Sequence, residues 1–205
     1  NSSQVKTLDG VNLNVTGANA VVSYLNDGLR FANGAHMTVD NGGRFEVLNS
    51  STIDDFDAGD NRLIIESGGT LHQNAAGNTR VEVDLTLNGT LDIDQGNLVL
   101  EGVSNLNGAI DIAAGAQLRL EGAGPHTVGL NMDLSGDGTL VMASGGMLVA
   151  VNNNLIIDST LTLQQDFGQL DIAGAQTLTV EGTHNWVGGD ITGIGALNYA
   201  MGSFL

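Results

Sequence analysis

Gly69-Thr70-Leu71, Gly89-Thr90-Leu91, Gly108-Ala109-Ile110, Gly138-Thr139-Leu140 and Gly195-Ala196-Leu197 repeat one device. A glycine closes a polar turn, a small residue follows, and an apolar residue opens a short alternating strand. The first three members lie 20 and 19 residues apart. That is the length of one coil in a β-solenoid, and self-similarity at such a period marks folds built by stacking one unit on the next.

Around these steps the chain reads with period two. Val81-Glu82-Val83-Asp84-Leu85-Thr86-Leu87, Thr90-Leu91-Asp92-Ile93, Leu118-Arg119-Leu120, Thr160-Leu161-Thr162-Leu163 and Leu178-Thr179-Val180 alternate apolar with polar residues. This is the pattern of a strand with one buried and one wet face. The corners between strands carry Asn33-Gly34, Asn41-Gly42, Asn88-Gly89, Asn107-Gly108 and Asp137-Gly138, residue pairs that tolerate positive φ. Hairpins use the same pairs, so a meander or sandwich competes with a solenoid. The phrase Gly34-Ala35-His36-Met37-Thr38-Val39 decides between them. It returns as Gly115-Ala116-Gln117-Leu118-Arg119-Leu120 and, one residue longer, as Gly174-Ala175-Gln176-Thr177-Leu178-Thr179-Val180. A sandwich has no reason to reuse a corner, whereas each coil of a solenoid solves the same bend.

The expected fold is therefore all-β: a right-handed parallel β-helix of nine or ten coils over residues 1–205. Coils spaced about 4.8 Å apart give a rod roughly 40–50 Å long. Residues 1–60 are less regular, and Val21–Gly28 reads as either a strand or a helical turn, since Val22, Leu25 and Leu29 share one helical face. The longer interval between Gly108 and Gly138 contains Pro125 and His126 and is expected to bulge outward as a loop. With no capping helix in the pattern, the ends expose unpaired strand edges, as in a segment of a longer rod or a self-associating one.

Composition narrows the function. Six Lys and Arg oppose 23 Asp and Glu, for a formal charge of −17. Nucleic acid is excluded as a partner because phosphate recognition needs a basic stripe. An anionic membrane surface is disfavoured for the same reason, and no apolar run reaches the roughly 18 residues that cross a bilayer. Cysteine is absent, so disulfides and thiolate metal sites are ruled out.

The C-terminal phrase Thr183-His184-Asn185-Trp186-Val187-Gly188-Gly189-Asp190-Ile191-Thr192-Gly193-Ile194-Gly195-Ala196-Leu197, with the Gly-Thr-Leu steps, resembles the parallel β-helix passengers of autotransporters and filamentous-haemagglutinin-like adhesins. The resemblance covers residues 62–200. It implies export, an extracellular or cell-surface location and a role in adhesion or surface structure.

Catalysis has little support in the residues. Polysaccharide-cleaving β-helices need clustered carboxylates, or a basic residue beside acidic calcium ligands. Here Lys6, Arg30, Arg44, Arg62, Arg80 and Arg119 are scattered singly. The densest acidic stretch, Asp54-Asp55-Phe56-Asp57-Ala58-Gly59-Asp60-Asn61, has oxygen ligands and a glycine bend, so Asp54, Asp55, Asp57 and Asp60 are the candidate calcium ligands. Its spacing departs from the EF-hand, and a solvated acidic corner is the competing reading. His36, His72, His126 and His184 are far apart in sequence and read as surface or corner residues. Trp186 is expected to cover an end or corner of the core. These readings converge on a non-catalytic extracellular rod, adhesive or self-assembling, with no cofactor unless calcium occupies the acidic loop. Its partners would be a second copy at the solenoid ends or a cell-surface ligand. The alternative is a carbohydrate-active or carbohydrate-binding β-helix that uses the same four aspartates with calcium.

Overall fold

The structure, a computed structural model, describes residues 4–25, 27–57, 59–144 and 148–203. Every regular element in it is a strand, every strand pairing is parallel, and the strands stack as a solenoid of nine coils. Each coil has three faces. The first face runs through Lys6–Asp9, Leu29–Ala32 and Thr52–Asp55, the second halves of Thr70–Val81 and Thr90–Leu100, then Gln117–Leu120, Thr139–Met142, Thr162–Gln165 and Thr183–Trp186. The second runs through Asn12–Thr16, His36–Asp40, Arg62–Ile65, Asp84–Leu87, Ser104–Leu106, His126–Val128, Leu148–Val151, Gln169–Ile172 and Asp190–Gly193. The third starts with Val21–Tyr24 and Arg44–Val47, uses the first halves of the two long strands, and continues through Ala109–Ile112 and Asp133–Gly136. Leu155–Ile157, Thr177–Val180 and Ala196–Tyr199 complete this face as a separate three-stranded sheet.

In-register stacking turns the alternating pattern into continuous columns. On the third face Phe45, Leu71, Leu91, Ile110 and Leu134 pair coil to coil and are all buried. Three of these are the apolar residues of the Gly-x-apolar steps. Burial of one such side chain contributes about 1.5–3 kcal/mol, and the columns together form one core along the rod.

The glycines serve two physical needs. A Cβ on Gly108 would lie 2.0 Å from the carbonyl oxygen of Gly89 one coil away, so only glycine lets these coils close up. At Gly115 the space is open, but φ is +81°, a conformation that other residues adopt at a cost. The recurring Gly-Ala phrase stands before a second-face strand at Gly34, a first-face strand at Gly115 and a third-face strand at Gly174, so one sequence solution serves all three corners.

Nine coils form, within the nine or ten expected. Other sequence expectations change. The described residues up to 60 join the same three faces, and Val21–Tyr24 is a strand whose Tyr24 is buried while Val21 and Leu25 are exposed, which removes the helical alternative. The interval from Gly108 to Gly138 is no outward loop. It holds one whole coil plus a further corner: Gly108 precedes a third-face strand and Gly138 a first-face strand. His126 opens a core strand and is fully buried. An apolar void of about 20 Å³ lies among Leu106, Val128, Leu140 and Leu170, too small and too aliphatic to hold a ligand.

Candidate functional site

The outward column of the third face places Ser23, Glu46, His72, Asp92, Asp111 and Ser135 in register on six successive coils. Its centre departs from a plain solvated strand. His72 is only 6% exposed although its column faces outward. Arg44 donates to Nδ1 of His72 and lies 3.2 Å from Glu46, and Glu46 accepts from Ser23 at 3.1 Å. A guanidinium only donates, so Nδ1 is the acceptor and Nε2 carries the proton that it gives to Asp94 Oδ2 at 2.7 Å. Asp94 reaches this position through a local irregularity: the pairing with the preceding coil shifts register between Ile93 and Gln95, and Gly96 follows at φ +69°. Such a bulge re-aims a side chain. His72, Asp92 and Asp94 offer ligand atoms that all lie within 4.8 Å of one another. Burial raises the Asp92 carboxyl above its ordinary value, Asp94 and Asp111 push the same way, and His72 and Arg44 oppose them.

The four aspartates singled out in sequence are engaged separately. Asp54 accepts from Arg30 at 2.9 Å, and Arg62 and His36 approach Asp60. Asp55 and Asp57 both accept from the amide of Asn61, at 2.6 and 2.8 Å, and Asp57 also accepts from the Asn33 N–H at 2.7 Å. The Asn33 N–H and then the Asn61 amide hold the Asp57 carboxyl below its ordinary value. Asn61 is the organiser that sequence reasoning passed over: it is 1% exposed, and its side-chain oxygen accepts from the Ala35 N–H at 3.0 Å. Among the described residues no three of these aspartates come within 4.8 Å of one another. A second acidic contact lies on the next coil, where burial and a hydrogen bond shared with Asp54 raise the Glu82 carboxyl.

Three of the four histidines are buried, contrary to their reading as surface or corner residues. His126 follows Ser104 in the second-face core column, where the Ser104 hydroxyl lies 2.7 Å from Nδ1 and Nε2 lies 2.9 Å from the Glu121 carbonyl. His184 stacks beside Trp186 and Tyr199 in the last coil, with ring centroids 6.4 and 6.0 Å away. Trp186 occupies the end of the rod, half exposed, and its indole N–H donates to the Gly189 carbonyl at 3.2 Å.

The third-face cluster had a readable signal. His72, Asp92 and Asp111 each stand three residues after a step glycine, at Gly69, Gly89 and Gly108, so aligning the steps aligns the column. The contribution of Asp94 depends on the bulge, which the alternation hides. No family model matches the chain, and no curated protein and no solved structure matches it.

Proposed function

We propose that the chain is a non-catalytic segment of an extracellular bacterial surface rod, structural or adhesive, that associates through its terminal coils. One observation carries this reading: nine of the fourteen exposed large apolar side chains among the described residues lie in the two terminal coils, against Leu48, Phe56, Leu130, Ile156 and Phe167 spread over the coils between. Val5, Val11, Val21 and Leu25 belong to the first coil, and Trp186, Val187, Ile194, Tyr199 and Met201 to the last. The terminal strands there have backbone N–H and C=O groups directed along the rod axis with no further coil among the described residues to pair them, the usual template for added strands. Parallel stacking makes the two ends unlike, so contact between copies is head-to-tail and open-ended. A cell-surface ligand on the polar faces fits the same rod and supplies the adhesive version.

Sedimentation velocity across a concentration series tests the association. The native chain should shift to larger species as concentration rises, and Val187→Asp with Ile194→Asp should hold it monomeric. A native chain that stays monomeric throughout would remove end-on association. Cleavage of any member of a polysaccharide panel would overturn the non-catalytic reading.

A further inference from the structure

We propose that His72, Asp92 and Asp94 bind one divalent transition-metal cation of the zinc class, bridging the third and fourth coils. Among the described residues this is the one group of three or more His, Asp or Glu whose ligand atoms lie within 4.8 Å of one another. The donor set is one imidazole nitrogen and two carboxylate oxygens. Calcium and magnesium take oxygen ligands, whereas an imidazole beside carboxylates suits zinc and its first-row neighbours.

Three features separate the group from an ordinary acidic face. His72 is held in place: the residue is 6% exposed and both ring nitrogens are engaged, Nδ1 by Arg44 and Nε2 by Asp94 at 2.7 Å. The backbone departs from regular pairing where Asp94 projects, so its carboxylate meets the imidazole of the coil below rather than continuing the column. Exposure is graded, with His72 buried, Asp92 intermediate and Asp94 exposed. An ion seated on the three would therefore keep one open side for water, as three-ligand zinc sites do.

Arg44 sets the condition for binding. While its guanidinium donates to Nδ1, the proton of the imidazole sits on Nε2 and points at Asp94. For Nε2 to take a metal, that proton must move to Nδ1 and Arg44 must turn away, and Glu46 already stands 3.2 Å from its Nε to receive it. Arg44 is thus a built-in competitor that occupies the cluster as its counter-charge when no ion is bound. The metal then takes the place of the Nε2–H as the partner of Asp94, and the displaced proton is carried by Nδ1.

Calorimetric titration of the folded chain with Zn2+, in excess Mg2+ to saturate sites made of carboxylates alone, tests the proposal. The expected result is one saturable ion per chain and a higher thermal unfolding midpoint in its presence, because a ligand held by two coils stabilises only the folded state. Asp94→Asn changes an exposed side chain, so it should fold as the native chain does and lose at least about tenfold in affinity. Arg44→Gln removes the competitor and should bind more tightly. No saturable Zn2+ binding would overturn the site, and so would binding that Asp94→Asn leaves unchanged. Weaker binding in Arg44→Gln would overturn the competitor role. Each of these outcomes is independent of whether the rods associate end to end.

Discussion

At the residue scale the rod makes two kinds of demand on glycine. Gly108 must lack a Cβ because a carbonyl oxygen occupies its place 2.0 Å away. Gly115 must only hold a φ of +81° with nothing within 4 Å. Gly108→Ala should therefore cost more than about 3 kcal/mol, because two coils must separate to admit the methyl group. Gly115→Ala should cost only about 1–2 kcal/mol. Paired chemical-denaturation curves check the difference, and equal losses would contradict it. The same scale holds the clearest pH effect. Burial pushes the His126 imidazole below its ordinary value, against the opposing pull of the Glu121 carbonyl. The unfolded chain then takes up the proton first, so this contribution to stability is complete above about pH 6.5 and is lost as pH falls below it. Thermal midpoints measured from pH 8 to pH 5 should drop in the native chain. The paired substitution Ser104→Val with His126→Leu, which removes the titrating group and its partner together, should flatten the drop. An unchanged slope would show that His126 takes no part.

At the element scale the acidic loop is ordered by an amide. Asn61 joins Asp55 and Asp57 to the Ala35 N–H of the preceding coil. Asn61→Ala leaves a buried N–H without its partner and should cost about 2 kcal/mol. Amide hydrogen exchange should accelerate in the strands that flank residues 55–62, while exchange in Thr177–Val180 stays as it was. Faster exchange everywhere would mean that the loop is no local unit. The elements also show how far the sequence could be read. The steps at Gly69, Gly89 and Gly108 are legible because one residue type meets one close approach in each coil, and their spacing of 20 and 19 matches the register of Thr70 with Thr90 and Thr90 with Ala109. The sixth coil escapes that signal. Its third-face strand begins at Asp133 with no step glycine, so the chain there looks like an insertion although its register is regular. His126 escapes for a related reason. A histidine in a core column looks like a surface residue until Ser104, 22 residues earlier, is known to be its neighbour. The His72, Asp92 and Asp94 cluster needs both the column and the bulge, and only the column is written in the period.

At the scale of the whole molecule, nine coils about 4.8 Å apart make a rod about 40 Å long with unlike ends. The apolar residues at those ends draw copies together, while a charge of −17 on each copy keeps them apart. The balance should depend on salt. Raising ionic strength screens the repulsion and leaves the apolar contact in place, so association should strengthen between low salt and about 0.15 M, where the screening length has shortened to about 8 Å. Sedimentation at the two ionic strengths reads this directly, and association that weakens with salt would point to ion pairing as its cause. Shape and association meet in one measurement, negative-stain electron microscopy of the native chain and of the Val187→Asp, Ile194→Asp variant at matched high concentration. Thin, unbranched threads from the native chain and only short particles from the variant are the predicted result; compact globules, or native particles that never lengthen, would contradict it.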